Sequence, residues 1–384
     1  MLPKSTWPKY DEKILKGINK IILSGKVNYL SGEWGQKFES AFSKYHNLKY
    51  SIAVSNGTIG LEIALSSLCL SEGDEVIVTP RSYYTSASCI IRNKLKPVFV
   101  DVDLNSQNIC KKDLLTKISK NTKCIICVHL AGYPCDMKEI IKISKKNKIK
   151  IIEDCSQAHG AKIDSNKVGS FGDVSVWSFC NDKIMSTLGE GGMISTNNKK
   201  IYEIAWSLKD TGKNFKKFYK KNKNIGFQWL HDSIGTNARL TEIQSFSGLF
   251  QLKYLDTMLQ QRKQNANYII NRLKKFTFLK FPILPKNYHH SYYRLNFLIN
   301  NNSNIKKISR NIVLKDLKDK IFIREGSCPE IYNEKYFKNK YDFFCPNAHY
   351  IGKNSLSLQV DNSIKKENLV KTVNFLDKYF KNKI

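Results

Sequence analysis

The chain has 384 residues, 41% of them hydrophobic and 11% aromatic, which is enough for buried cores and excludes wholesale disorder. A formal net charge of +30 favours anionic partners, yet the lysines spread through helical segments such as KISKKNKIK with no zinc-finger spacing, RNP signature or basic heptad, so nucleic-acid binding is not expected. The N-terminal stretch MLPKSTWPKYDEK has no apolar core, and no apolar run approaches the roughly 18 residues of a membrane helix; a cytoplasmic protein without a membrane span is expected.

In chain order, YSIAVS reads as a strand followed by the helical GTIGLEIALSSLCL, and GDEVIVTP as a strand followed by RSYYTSASCIIRNK. The runs KPVFVDVD, KCIICVHL, IKIIEDC and DVSVWSF continue the alternation to about residue 200, with amphipathic helices such as DMKEIIKISKKNK between them. Short apolar strands separated by helices predict an α/β fold with a mostly parallel central sheet covered by helices. The lysine-rich TGKNFKKFYKKNKNIG is expected as an exposed loop, and residues near 236 to 275 as one long helical stretch. That stretch leads to a smaller α+β C-terminal domain with strands in HHSYYRLNFLI and SLSLQV and a last helix in KKENLVKTVNFLDKYF. The expected domains are 1–250 and 251–384. Ten scattered cysteines, mostly in strand-like runs, read as buried free thiols, and no metal site is expected.

In sheets of this kind ligands bind at the carboxyl ends of the strands, and three of those ends are unusual. Ser55-Asn56-Gly57-Thr58 separates a strand from a helix, suiting either a phosphate at the helix start or an ordinary capped turn. Glu153-Asp154 closes a buried strand, where an acid needs a cation or several donors; a salt bridge or a helix cap would also serve. Lys183 lies between DVSVWSF and the run Gly189-Glu190-Gly191-Gly192, and alone it reads as one more exposed lysine. Together the three meet the needs of pyridoxal 5′-phosphate: a cradle for phosphate, a carboxylate for the pyridine nitrogen, and a lysine for the aldehyde.

The same residues resemble the DegT/DnrJ/StrS nucleotide-sugar aminotransferases of fold type I. The likeness lies in LSGEWGQKFESAFSKY, SNGTIGLEIAL, GDEVIVTPRSYYTSA, IIEDCSQAHGA, GSFGDVSVWSFCNDKIMSTLGEGGMISTN and IGTNARLTEIQSFSGLFQL, in order over nearly the whole chain. The resemblance implies that Lys183 forms the Schiff base, Asp154 pairs with the pyridine nitrogen and Gln157 approaches the ring oxygen. Gly57, Thr58 and Ser178 would hold the phosphate, Tyr84 would stack on the ring, and Asn237 would reach the phosphate of a neighbouring subunit in a homodimer. Arg239 is a candidate substrate contact or a structural ion pair, and His159 a candidate pocket residue or a satisfied core histidine. The chain departs from the family pattern at Asn56 and Ile59 in the phosphate turn, at Arg81-Ser82 and Tyr84, and at Ala238, which could alter the substrate pocket.

The reaction so implied moves an amino group from L-glutamate, through pyridoxamine 5′-phosphate, to a nucleotide-linked 4-keto-6-deoxyhexose for surface polysaccharide or glycan synthesis. A 3-keto sugar or a small keto-phosphate is an alternative substrate. A sugar dehydratase on the same scaffold is a further alternative, opposed by Lys183, since the pyridoxamine-dependent enzymes of that branch carry histidine there. A basic nucleic-acid-binding or regulatory protein is the non-enzyme alternative. Residues 323 to 337, IREGSCPEIYNEKYF, are expected near the substrate entrance.

Overall fold

The computed structural model describes residues 5–220, 226–300 and 308–383. Five strands come first: β1 (Tyr50–Val54), β2 (Glu75–Val78), β3 (Lys96–Phe99), β4 (Thr122–Val128) and β5 (Lys150–Asp154). The short pair β6 (Lys162–Ile163) and β7 (Asn166–Lys167) precedes β8 (Val174–Ser178) and β9 (Gly192–Thr196). The C-terminal part adds β10 (Leu279–Lys280), β11 (Tyr288–His289), β12 (Leu295–Ile299), β13 (Ile323–Arg324) and β14 (Ser355–Leu358).

Seven strands form the main sheet in the order β1-β9-β8-β5-β4-β2-β3. The pairs β5–β8, β4–β5, β2–β4 and β2–β3 are parallel, whereas β9 runs antiparallel to both β8 and β1. All strands except β9 therefore point their carboxyl ends to one edge, where β1, β5 and β8 deliver Asn56, Asp154 and Ser178. The pleat sends successive side chains to opposite faces: Val76, Val78 and Ile126 enter one core, while Ile77, Ile125 and Cys127 enter the other. Covered on both faces, these strands need unbroken apolar runs, which is why KCIICV shows no alternation.

The helix Gly57–Ser67 lies across β8, and Gly60 permits the approach, since a Cβ there would stand 2.8 Å from Val176 Cγ1. A second sheet, β10-β12-β14-β13, is packed with the helices Leu255–Leu273 and Lys366–Lys381 around its own core, including Phe297, Leu356 and Phe380. The stretch expected as one helix from 236 to 275 is divided. Arg239 makes a β-bridge with Val54, and the helices Glu242–Lys253 and Leu255–Leu273 meet at Tyr254. The first packs on the helices Glu12–Leu23 and Trp34–His46 and the second on Lys366–Lys381, so position 250 falls inside the first. Within the lysine-rich segment Phe215–Tyr219 is helical, because Asn214 caps it and its aromatic rings reach Trp206; residues 221–225 lie outside the described residues.

All ten cysteines are free; six are buried, Cys110, Cys180 and Cys328 are half-buried, and Cys69 is exposed. Among the described residues no helix is long and apolar enough to cross a membrane.

Candidate active site

The strand ends surround a cavity of about 720 Å³ lined by Gly57, Thr58, Asp154, Gln157, Ser178 and Lys183 from the main sheet. Tyr293, Arg294, Phe322 and Arg324 from the C-terminal part close its other side.

At β1, Asn56 caps the helix by accepting the Ile59 N–H at 2.9 Å. The N–H groups of Gly57 and Thr58 belong to the first turn and have no intrahelical acceptor, which leaves a positive pole at the cavity wall. The turn is squeezed from two sides. A Cβ on Gly57 would lie 2.7 Å from Ser178 Cβ, and one on Gly192 would lie 2.6 Å from the Asn56 carbonyl carbon. Only hydrogen fits at either place, so the backbone itself forms the cradle.

Asp154, at the end of β5, is 5% exposed. One of its oxygens accepts the Ser86 hydroxyl at 2.9 Å and the other the Ser156 N–H at 3.1 Å. No ion pair reaches it among the described residues, and Lys183 acts on it only at a longer distance within the cavity. Gln157 gives its amide oxygen to the Ala131 N–H at 2.7 Å, leaving the amide nitrogen uncommitted at the cavity.

Lys183 sits in a loop closed at its base by Phe179 and Gly191, whose N–H and carbonyl pair at 2.8 Å. Leu188 and Gly189, at φ 61° and 111°, take left-handed conformations that return the chain into β9. Lys183 Nζ lies 3.8 Å from Asp182 Oδ1 and 5.0 Å from the centre of the Tyr293 ring. Burial works against its charge, but Tyr293, Asp182, Cys180 and Asp154 outweigh it and raise its pKa above the ordinary lysine value. Burial also opposes the charge on Asp182, yet Lys183, the Tyr293 hydroxyl and Arg294 keep that carboxyl below its usual range.

An N-terminal strap fixes this loop from behind. Trp7 donates its indole N–H to the Lys183 carbonyl at 2.7 Å. The Tyr10 hydroxyl accepts the Leu188 N–H and donates to Ser186 Oγ, both at 3.1 Å. The buried Arg262 stacks 5.5 Å from the Trp7 ring and donates to the carbonyls of Tyr292 and Tyr293 at 3.3 and 3.4 Å. Ser5 and Thr6 bond Ser363 Oγ at 2.9 and 3.0 Å. Neither Trp7 nor Tyr10 was marked by any sequence motif.

The other expected site residues lie elsewhere. Tyr84 does not line the cavity: it stands at the start of the helix Thr85–Arg92 with its ring edge-on to Phe337, 5.6 Å away, while its neighbour Tyr83 lines the cavity. Arg239 is no pocket residue, because its guanidinium bonds Asp210 at 3.0 Å. Ala238 is buried core, its backbone tied to Ser55 and Lys209, and does not shape the pocket. His159 is fully buried beside Phe179, and burial drives its pKa well below the usual histidine value. Asn237 is exposed, bridged to Asp210 and outside its own chain's cavity. Of residues 323–337, Arg324, Gly326, Ser327 and Cys328 reach the cavity, whereas Ile331, Tyr332 and Phe337 are core.

The structure also gathers His129, Glu153 and Cys155, whose potential ligand atoms lie within 4.8 Å of one another. The Glu153 oxygens are already occupied by the N–H groups of Gly169, Phe171 and Gly172, at 2.7 to 2.8 Å, and by His129 at 3.0 Å. The cluster therefore ties the loop after β7 to β5.

The site fits pyridoxal 5′-phosphate: a backbone cradle at a helix start suits the phosphate, the buried Asp154 suits the protonated ring nitrogen, and Lys183 suits the aldehyde. Fold and site together define a pyridoxal-phosphate-dependent aminotransferase. The chain belongs to the DegT/DnrJ/EryC1/StrS aminotransferase family, whose sequence profile matches residues 8–377. It is 31% identical to a GDP-perosamine synthase of Escherichia coli O157:H7 over 98% of this chain and 96% of that one. An aminotransferase structure from Psychrobacter cryohalolentis superposes with a TM-score of 0.96 at 37% identity, covering 99% of each chain. An E. coli GDP-4-keto-6-deoxy-D-mannose-3-dehydratase with bound hydrated pyridoxal phosphate gives a TM-score of 0.86 at 25% identity, covering 98% of this chain and 99% of that one.

Proposed function

We propose that the protein transfers the amino group of L-glutamate to the ketone of a nucleotide-linked 4-keto-6-deoxyhexose. The observation that carries this reading is that Lys183 and the buried Asp154, which makes no ion pair among the described residues, line one cavity beside a helix start whose first N–H groups have no intrahelical acceptor. Kinship to a GDP-perosamine synthase and to an enzyme acting on a GDP-4-keto-6-deoxy sugar supports the substrate class.

Pyridoxal phosphate, when bound, supplies a carbonyl that takes up the amino group and a ring that accommodates the electron pair of the broken C–H bond. The first-turn N–H groups at Gly57 and Thr58, with the Ser178 hydroxyl, hold its phosphate. Asp154 keeps the ring nitrogen protonated, and the hydroxyls of Ser86 and Ser82, linked at 2.8 Å, hold Asp154 in place. The Gln157 amide nitrogen is free to orient the ring oxygen. Lys183 Nζ, once released, takes the proton from the α-carbon of glutamate and later returns one to the sugar carbon that receives nitrogen. Asp182 and Tyr293 set the position and charge of that amine.

The exposed Asn237 supports a homodimer in which it reaches the partner's cofactor phosphate. Phe227, Trp229 and Ile234, 78%, 82% and 94% exposed on the same loop, supply apolar surface for such an assembly. Ten free thiols suit the reducing cytoplasm, and the product suits the building of surface glycans.

Incubation with pyridoxal phosphate, L-glutamate and a panel of nucleotide-linked keto sugars should yield one amino sugar, identified by mass and NMR. Lys183→Ala should abolish both the product and the lysine-linked cofactor absorbance. Full turnover by that variant, or no amino product from any keto sugar, would overturn the reading.

A further inference from the structure

In the part of the cavity wall supplied by the C-terminal segment, Phe322 carries two guanidinium groups, with Arg294 Cζ 5.3 Å and Arg324 Cζ 4.8 Å from its ring centre. All three residues line the cavity. Arg294 also lies 5.1 Å from the centre of the Tyr293 ring, the same ring that faces Lys183. A continuous stack therefore runs from the amine outward: Tyr293, Arg294, Phe322, Arg324.

The charges along this stack do not balance. Arg294 Nη2 lies 3.6 Å from Asp182, but that carboxylate also faces Lys183 at 3.8 Å and accepts the Tyr293 hydroxyl. Arg324 makes no ion pair among the described residues; its hydrogen bond goes to the carbonyl of its own neighbour Ile323, at 3.3 Å. Lys183 and Arg294 thus share Asp182, and Arg324 has no acid partner among the described residues. Guanidiniums held against one ring repel each other, and stacking prevents them from swinging away. An anion placed between or beside them offsets that repulsion.

We infer that Arg294 and Arg324 form the subsite for the diphosphate of the nucleotide sugar, an assignment that rests on the aminotransferase reading above. The order along the stack suits this ligand. With the ketone at Lys183, the sugar extends past Tyr293 to Arg294, and the diphosphate meets the exposed Arg324 as the nucleotide leaves the cavity. A diphosphate carries adjacent anionic groups for two guanidinium forks, whereas the single carboxylate of an amino donor would occupy one.

The test is calorimetric titration of the cofactor-loaded enzyme with UDP, GDP and dTDP, alongside the matching monophosphates and nucleosides. Arg324 is exposed, so Arg324→Gln should leave the fold intact. It should weaken the preferred diphosphate about tenfold, the monophosphate less, and the nucleoside by less than about twofold. Arg324→Lys should recover part of the loss, because it restores the charge without the fork. Equal loss for nucleoside and diphosphate, or no diphosphate binding by the unaltered enzyme, overturns the subsite. Unchanged diphosphate affinity with a raised KM for glutamate also overturns it, and makes the stack a donor-carboxylate site. Diphosphate binding without amino product from any keto sugar would instead sink the aminotransferase reading and leave the phosphate subsite standing.

Discussion

Replacing Trp7 by phenylalanine tests whether the N-terminal strap sets the position of Lys183. The variant keeps an aromatic ring against Arg262 but removes the 2.7 Å bond to the Lys183 carbonyl. A neutral bond of this kind contributes about 1 kcal/mol net, and stranding a buried carbonyl raises the cost to about 1–2 kcal/mol. If that energy holds the lysine loop in its working geometry, the working population falls about 5- to 30-fold. The assay is single-turnover reaction of the cofactor-loaded enzyme with glutamate, followed by the absorbance of the bound cofactor. The rate should fall by that factor, with the half-saturating glutamate concentration changing less than about threefold. Tyr10→Phe, which acts on the same loop through Leu188 and Ser186, should add less than its own separate effect to the Trp7 variant. A rate within twofold of the unaltered enzyme, accompanied by a lower melting temperature, would show that Trp7 only fastens the N-terminus, and the positioning argument would fall.

Further changes probe the cradle and the core. Gly57→Ala forces a methyl group to 2.7 Å from Ser178 Cβ and 3.2 Å from Ser178 Cα, and β8 cannot retreat. Cofactor affinity should drop at least about tenfold and stability by about 1–3 kcal/mol, read by equilibrium dialysis and thermal melts; unchanged affinity would refute the cradle. His46 is fully buried, and burial lowers its pKa to about 3. The folded state therefore refuses a proton that the unfolded chain accepts below about pH 6.5, and stability is lost as pH falls through that window. His46→Phe should gain about 2 kcal/mol relative to the unaltered protein between pH 7 and pH 5 in denaturant titrations. A difference that does not vary with pH would contradict the burial argument.

The main sheet was legible because strands covered on both faces must be apolar throughout, and KCIICV or IKIIED can hardly serve otherwise. The strand-end residues were legible too: Asp154 and Ser178 close their strands and Gly57 and Lys183 follow theirs within a few positions, so local chain geometry brings them to one edge. Tyr84 was misplaced because Tyr83 and Tyr84 are adjacent at a helix start, where one residue's step turns the side chain by about 100°. Nothing local says which of the two faces the cavity. The direction of β9 was hidden for a different reason: GMIST is equally apolar whichever way it runs. Arg239 and Ala238 sat in a segment whose helical spacing suggested one long element, but pairing with Val54 and Ser55 outweighed that periodicity. The outer wall, from Tyr293 to Arg324, and the strap at Trp7 depend on contacts between segments remote in sequence. No spacing announces such contacts.

The strap also has a consequence for the order in which the protein is made. Ser5 bonds Ser363, a separation of 358 residues, and Trp7 bonds the Lys183 carbonyl across 176. A ribosome releases the strap 358 residues before the residue that anchors it. Pairings of such long range are entropically late in folding. The segment that fixes the reactive lysine is thus translated long before its anchor at Ser363 and locked only after it, so a nascent chain with its main sheet already formed still has an unfinished active site.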